Sequence, residues 1–263
     1  MKRLIILLFL LTSVSVLYAQ VSQGGYPRTY EQRNLKSAAL IPSLSLKSIH
    51  VDELLAEDES LGTPYRYGVV EEVMLDVKSG LETQLDSSTV WRYEIVSDQA
   101  KSLKIFFQQL IIPDGATLFI YNNDYSKIAG AFTSANVNND STFAVADFPG
   151  GKLIVEYDEP FDAPFSGKVI IGSVSKAYRE LEGLLSEEED SAYLDVNCSS
   201  GIDWQIQKHS VCRYTFFEDQ SSYLCTGALI NNTHNDGTPY FLTANHCVSS
   251  SSSAGTVTAY FNY

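Results

Sequence analysis

One histidine near the end of the chain combines a reactive side chain with neighbours that could hold it in place. His246 lies between Asn245 and Cys247, directly after the short apolar run at residues 240–244. An imidazole changes its charge near neutral pH, so a histidine held in one orientation can act as a general base. The sequence therefore points first to proton-transfer chemistry at this position.

Two apolar, β-prone runs precede and position this histidine. Residues 224–230 form the first run and residues 240–244 the second, with a turn cluster of Asn, Asp, Gly and Pro at residues 231–239 between them. This arrangement predicts a β-hairpin with a long connection. Antiparallel pairing would bring Cys225 close to Cys247, and a disulfide between them would pin the turn that follows the second strand.

The stretches C-T-G-A-L-I and F-L-T-A-N-H-C resemble the catalytic-histidine region of trypsin-like (chymotrypsin-fold) serine proteases. The longer pattern C-T-G-A-L-I-N-N-T-x-N-D-x-x-x-Y-F-L-T-A-x-H-C most resembles the secreted bacterial lysyl endopeptidase branch, and the resemblance covers residues 197–263. It implies that His246 is the triad histidine and that Cys225 and Cys247 form the disulfide beside it. Asn245 departs from the family, in which many members carry Ala or His at this position.

The resemblance implies hydrolysis of protein substrates by a Ser-His-Asp triad, with lysine specificity as a further implication. In that family the triad Asp, the Gly-x-Ser-Gly nucleophile motif and the specificity pocket lie further along than Tyr263. Of the triad, only His246 is recognisable here. We therefore expect the chain as given to have no peptidase activity, despite its relationship to an enzyme.

Composition narrows the class of protein and of partner. The formal net charge is −14 and the hydrophobic content is 44%, so the chain can build packed cores but lacks the positive charge that nucleic-acid binding needs. Residues 1–19 read as a secretory signal, with Lys2 and Arg3 ahead of an apolar run too short to span a bilayer. The predicted location is secreted or extracellular, including the bacterial cell surface or periplasm, where disulfides are stable.

The chain divides into five predicted parts. Residues 1–19 are the signal peptide, 20–64 an extended arm with a short helix at 51–56, 65–177 an antiparallel β-sandwich, 178–196 an acidic linker and 197–263 the protease-like segment. Short strands with turn clusters every ten or so residues indicate the sandwich. The predicted fold class is all-β, and the resemblance implies that the last part begins a chymotrypsin-like barrel, truncated at Tyr263. The acidic run reads equally well as the solvated end of a helix.

The sandwich lies between the signal and the protease-like segment, which suggests a propeptide. Residues 112–121 also resemble the β-sandwich modules that accompany secreted bacterial proteases. We expect this part to pack on its own protease domain, and the other partners to be protein or peptide substrates. No membrane span, cofactor or metal is expected.

The sequence offers three alternatives to these predictions, which concern a metal site, the remaining cysteines and the function. His234, His246 and the two hairpin cysteines could be imagined as a zinc site, but adjacent His246 and Cys247 make poor joint ligands and no C-x-x-C pair exists. Cys198 and Cys212 could pair with each other; the resemblance implies instead that either could pair with a cysteine much further along, which this sequence does not contain. The second functional hypothesis is a secreted β-sandwich binding or adhesion protein whose last segment is a non-catalytic protease relic. The coding sequence beyond Tyr263 separates the two functions.

Overall fold

The computed structural model describes residues 22–31, 40–61, 64–181 and 198–262. The predicted signal at residues 1–19 lies outside these ranges, as does all of the acidic linker after its first four residues. Strands arranged in two sheets dominate the described residues, which confirms the all-β prediction. No helix in these ranges has the length and apolar character needed to cross a bilayer.

The strands of the described residues are β1 (Ser43–Ser45), β2 (Tyr65–Asp76), β3 (Leu81–Gln84), β4 (Ser88–Val96), β5 (Ser102–Ile111), β6 (Thr117–Tyr121), β7 (Ile128–Phe132), β8 (Phe143–Ala144), β9 (Phe148–Pro149), β10 (Lys152–Pro160), β11 (Lys168–Ala177), β12 (Val211–Glu218), β13 (Ser221–Ile230), β14 (Tyr240–Leu242) and β15 (Thr258–Phe261). The α-helices are α1 (Arg28–Glu31), α2 (Val51–Leu61), α3 (Gln205–Ser210) and α4 (Ser251–Gly255). Short 3₁₀ turns occupy Val77–Ser79, Ser134–Asn136 and Ser199–Trp204.

The first sheet has the strand order β1-β4-β10-β6-β7, and β3 pairs with residues 89–92 of β4 on the same side as β1. Its pairs are antiparallel except β1 with β4, which is parallel. Side chains alternate across a strand, and in β10 Val155 and Tyr157 face the main core while Ile154 packs in a separate cluster on the opposite face. Both faces of this sheet therefore bury apolar side chains.

The second sheet has the order β15-β12-β13-β2-β11-β5-β8, with β14 paired to β13 and β9 to β5. The main core lies between the two sheets, where Phe107 of β5 and Ile171 of β11 share one apolar cluster with Leu118 of β6. All three side chains are fully buried. Truncating a buried Phe to Ala typically costs about 3–5 kcal/mol, so we expect single truncations in this layer to be strongly destabilising.

The second sheet runs without a break from the sandwich into the protease-like segment. Strand β13 pairs antiparallel with β2, placing Ser221 opposite Val69 and Leu224 opposite Tyr65. The start of the predicted linker is packed as well, because Leu181 is buried in a cluster with Tyr67. The division into domains at residues 178–196 stays a prediction.

One helix differs from the sequence prediction in extent, and another was not predicted. The helix expected at residues 51–56 continues to Leu61 as α2. Helix α4 forms in a serine-rich stretch, where the Ser250 hydroxyl accepts a hydrogen bond from the Ser253 amide at 3.1 Å and caps its first turn.

Candidate functional site

The predicted hairpin is confirmed. Strands β13 and β14 pair antiparallel, with Ala228 opposite Leu242 and Ile230 opposite Tyr240. The other side of β13 pairs with β12 over residues 221–228, so the strand that carries Cys225 has neighbours on both sides. The chain leaves β14 toward His246 from a strand that is itself part of the second sheet.

The disulfide expected from the hairpin is present. Cys225 and Cys247 are bonded, with an S–S distance of 2.01 Å and a Cα–Cα distance of 6.4 Å. Cys247 is buried and packs with Tyr214 and Phe216 in an apolar cluster. The bond ties the turn after β14 to the middle of β13. It also occupies both thiols, so neither is available as the zinc ligand considered from the sequence.

A glycine explains one part of the C-T-G-A-L-I pattern. Gly227 of β13 lies under the ring of Phe241 of β14, and a Cβ atom at this position would overlap that ring. Phe241 also packs edge-on against Tyr214, with ring centroids 5.3 Å apart. The absence of a side chain at this position therefore lets the Phe241 ring pack directly against the backbone of β13.

A hydroxyl chain holds the segment between β14 and the histidine. The Tyr214 and Thr243 hydroxyls are hydrogen-bonded at 2.7 Å, and the Thr243 hydroxyl also donates to the Thr226 carbonyl at 3.2 Å. Thr243 is thus bound to both β12 and β13. Together with the disulfide, this fixes the backbone on both sides of residues 244–246.

His246 lies in a turn and its side chain is exposed. The turn is closed by the amides of Cys247 and Val248, which both donate to the Ala244 carbonyl, at 3.0 and 3.3 Å. Among the residues that the structure describes, none hydrogen-bonds the imidazole. The ring is therefore accessible to a substrate, while the carboxylate that would orient it in a triad is not found among these residues.

The remaining histidines and cysteines lie elsewhere. His50 precedes α2, His234 is exposed in the turn between β13 and β14, and the His209 ring is hydrogen-bonded to the Asn262 side chain. Cys198 and Cys212 are not bonded to each other or to the hairpin cysteines. Burial raises the pKa of the Cys212 thiol, which makes it a poor nucleophile.

A buried lysine that was not predicted from the sequence links the two parts of the chain. Lys104 of β5 is 1% exposed, and its ammonium donates to the Thr215 carbonyl at 3.1 Å, the Thr215 hydroxyl at 2.9 Å and the Thr256 carbonyl at 2.9 Å. Lys104 belongs to the predicted sandwich and both acceptor residues belong to the protease-like segment. A single Lys inside an apolar run was the only sequence signal, and it does not identify the partners.

Asp147 connects the same two parts of the chain. Its carboxylate accepts hydrogen bonds from the hydroxyls of Tyr67 at 3.1 Å, Tyr260 at 3.0 Å and Thr215 at 3.3 Å. The Tyr260 hydroxyl in turn accepts from the Asp147 amide at 2.9 Å. Tyr67 and Asp147 come from the predicted sandwich, whereas Thr215 and Tyr260 come from the protease-like segment.

Comparison with known proteins places the hairpin in a protease-related segment. A sequence model of a protein family, described as "Lysyl endopeptidase, C-terminal domain", matches residues 186–263. Over this segment the protein is therefore related to the lysyl endopeptidases. The match begins inside the predicted acidic linker, earlier than residue 197, where the resemblance was placed from the sequence. No solved structure matches the chain.

Proposed function

We propose that this chain is part of the precursor of a secreted serine endopeptidase in which His246 is the general base of a Ser-His-Asp triad. The observation that carries the proposal is the family match at residues 186–263, which contains the whole hairpin, its disulfide and the exposed histidine. A disulfide-anchored turn supports this role because a general base must be held in a fixed position yet remain accessible to substrate. The predicted signal and the disulfide both suit an exported protein.

In the proposed reaction His246 takes the proton of a serine nucleophile as it attacks the substrate carbonyl, and returns it to the leaving amine. An orienting aspartate fixes the imidazole tautomer, and backbone amides stabilise the tetrahedral oxyanion. We assign the serine, the aspartate and the specificity pocket to sequence beyond Tyr263. Lysine specificity belongs to the same proposal and depends on that pocket.

The proposal gives the sandwich the role of a propeptide packed on its own protease domain. The contacts that support it are the β2–β13 pairing and the hydrogen bonds of Lys104 and Asp147 to the protease-like segment. These contacts are buried and involve both backbone and charged side chains. A released propeptide would expose Lys104 and the paired edge of β13.

The test begins with the coding sequence beyond Tyr263, followed by expression of the whole reading frame. In that protein His246→Ala should leave secretion and folding intact and lower kcat/KM for lysyl peptide substrates by about 10⁵-fold or more. His234→Ala is the matched control, because His234 is also exposed and lies 12 positions earlier in the same hairpin. The chain ending at Tyr263 should show no turnover.

Activity of His246→Ala within tenfold of the parent would contradict the assignment of the base. A stop codon directly after Tyr263, with no hydrolysis of lysyl, arginyl or generic peptide esters, would instead favour the binding or adhesion protein with a protease relic. Turnover by the chain ending at Tyr263 that disappears in His246→Ala would place the nucleophile inside the present sequence.

A further inference from the structure

The outer face of the first sheet buries side chains that a sandwich normally leaves in water. Phe119, Tyr121 and Ile154 form an apolar cluster there, separate from the main core. Two acidic residues on the same face of β10 are also buried, Glu156 at 1% exposure and Asp158 at 6%. Burying carboxylates is costly unless specific partners meet them. Something on this face must therefore supply those partners.

Arg92 of β4 lies opposite Glu156 and supplies a positive charge from within the sheet. Further partners come from a short segment at the start of the described chain, residues 23–30. Its first residues pair with β7 at the edge of the sheet. The Gln23 amide donates to the Ala131 carbonyl at 3.0 Å, and the Ala131 amide donates to the Gly24 carbonyl at 3.0 Å. Gly24 has φ +75°, which favours glycine at this bend. Addition of an extended segment to a sheet edge is a common mode of peptide recognition.

Thr29 makes the most specific contact. It is fully buried; its hydroxyl donates to the Glu156 carboxylate at 2.6 Å and its amide donates to the same carboxylate at 3.3 Å. Tyr121 adds a third donor to Glu156 at 2.7 Å, and the Tyr125 hydroxyl donates to the Thr29 hydroxyl at 3.1 Å. Burial raises the pKa of Glu156. The carboxylate thus relies on the segment for two of these three donors.

Arg28 makes the second contact, with its Nε atom 2.7 Å from Asp158 Oδ2. The other carboxylate oxygen of Asp158 is buried and has no hydrogen-bond partner. Beside this pair, Tyr30 packs edge-on against Tyr125 with ring centroids 5.3 Å apart. Two neighbouring residues of the segment, one basic and one with a hydroxyl, therefore meet two neighbouring acidic positions of β10.

We propose that this face, lined by Tyr121, Glu156, Asp158 and the edge of β7, is a binding site for a peptide that pairs with the strand edge and presents an adjacent Arg-Thr pair. Residues 23–30 are its resident ligand. Because the resident segment is covalently attached, its effective concentration is in the millimolar range and it excludes free peptide. When its contacts are weakened, a separate peptide of the same chemistry takes its place. The proposal is independent of the protease assignment.

The experiment uses the whole chain with Arg28→Ala and Thr29→Val, which removes the two side-chain contacts of the resident segment. A fluorescent peptide with the sequence of residues 22–31 is titrated and its anisotropy is measured. Circular dichroism and thermal unfolding establish that the variant is folded. We expect saturable binding to this variant, and binding at least 100-fold weaker to the unaltered chain, whose site is occupied.

Two controls test the chemistry of recognition. A peptide with valine in place of the threonine should bind about tenfold weaker, the equivalent of one lost hydrogen bond to a charged group. Adding Glu156→Gln to the weakened chain should lower affinity similarly, whereas adding Glu59→Gln, at an exposed position of α2, should have no effect. A folded variant that binds no peptide, or equal binding by the weakened and unaltered chains, would overturn the proposal.

Discussion

At the scale of single residues, Lys104 is the position where the two parts of the chain depend most directly on one side chain. All three of its ammonium protons are used by acceptors on Thr215 and Thr256. We expect Lys104→Met to lower the free energy of unfolding by about 1–3 kcal/mol, because buried acceptors lose their donor. Urea denaturation measures this, with Lys168→Met, at an exposed position of β11, as the control. Equal losses in the two variants would contradict the prediction.

The same lysine predicts a pH dependence. Burial lowers the pKa of Lys104 from 10.5 to about 8, and the nearby Asp147 charge only partly opposes this. Between these two values the unfolded chain binds more protons than the folded chain, so the Lys104 contribution to stability rises with pH across that window. Below pH 8 Lys104 is charged in the folded chain as well, and the full cost of burying its ammonium lowers the stability.

This dependence is measured as the difference in unfolding free energy between the parent and Lys104→Met at pH 7, 8, 9 and 10. The difference should grow with pH. Burial raises the phenol pKa values of Tyr67 and Tyr260, both bonded to Asp147, so these groups stay neutral over the window. A difference that stays flat or shrinks would show that Lys104 does not titrate as proposed.

At the scale of elements, the hairpin of β13 and β14 depends on its disulfide. The bond closes a loop with a sequence separation of 22. A loop of this length predicts a loss of about 3 kcal/mol when Cys225→Ser and Cys247→Ser are combined. Hydrogen exchange should rise most at β14 and the turn around His246. Cys198→Ser is the control, and unchanged protection in the double variant would mean that β14 is held without the bond.

The hairpin was predictable because its signals are local. Residues 224–230 and 240–244 are apolar runs separated by a turn cluster, and Cys225 and Cys247 follow from that pairing. Helix α4 was missed because a run of serines has no apolar periodicity, and its start depends on the Ser250 cap. The pairing of β13 with β2 joins positions more than 150 residues apart, and no local pattern specifies such a contact.

The side chains of the candidate site were also predictable only where the sequence signal is local. His246 could be singled out by its motif and its neighbours, whereas the partners of Lys104, Asp147 and Glu156 depend on which strands become adjacent. The burial of a charged residue cannot be predicted from its type, because residues of the same type are usually exposed. Thr29 in particular lies in a weakly patterned arm and yet is fully buried.

At the scale of the whole molecule, one sheet spans the boundary predicted between sandwich and protease-like segment. Cleavage there would therefore cut the chain without separating its parts. The pairing of β2 with β13 supplies backbone hydrogen bonds, and Lys104 and Asp147 add buried side-chain bonds across the same junction. Strand pairing of this kind has the character of a protein interior rather than of a transient domain contact.

Limited proteolysis followed by size-exclusion chromatography tests this. We expect the first cuts near residues 187–190, with a resistant N-terminal fragment, and co-elution of both fragments under native conditions. Lys104→Met should shift the urea concentration at which the fragments separate to a lower value, since the buried acceptors on Thr215 and Thr256 of the C-terminal fragment then lose their donor. Lys168→Met should leave that concentration unchanged. Fragments that separate without denaturant would show that β2 and β13 do not hold the parts together, and rapid cleavage within residues 91–157 would contradict a compact sandwich.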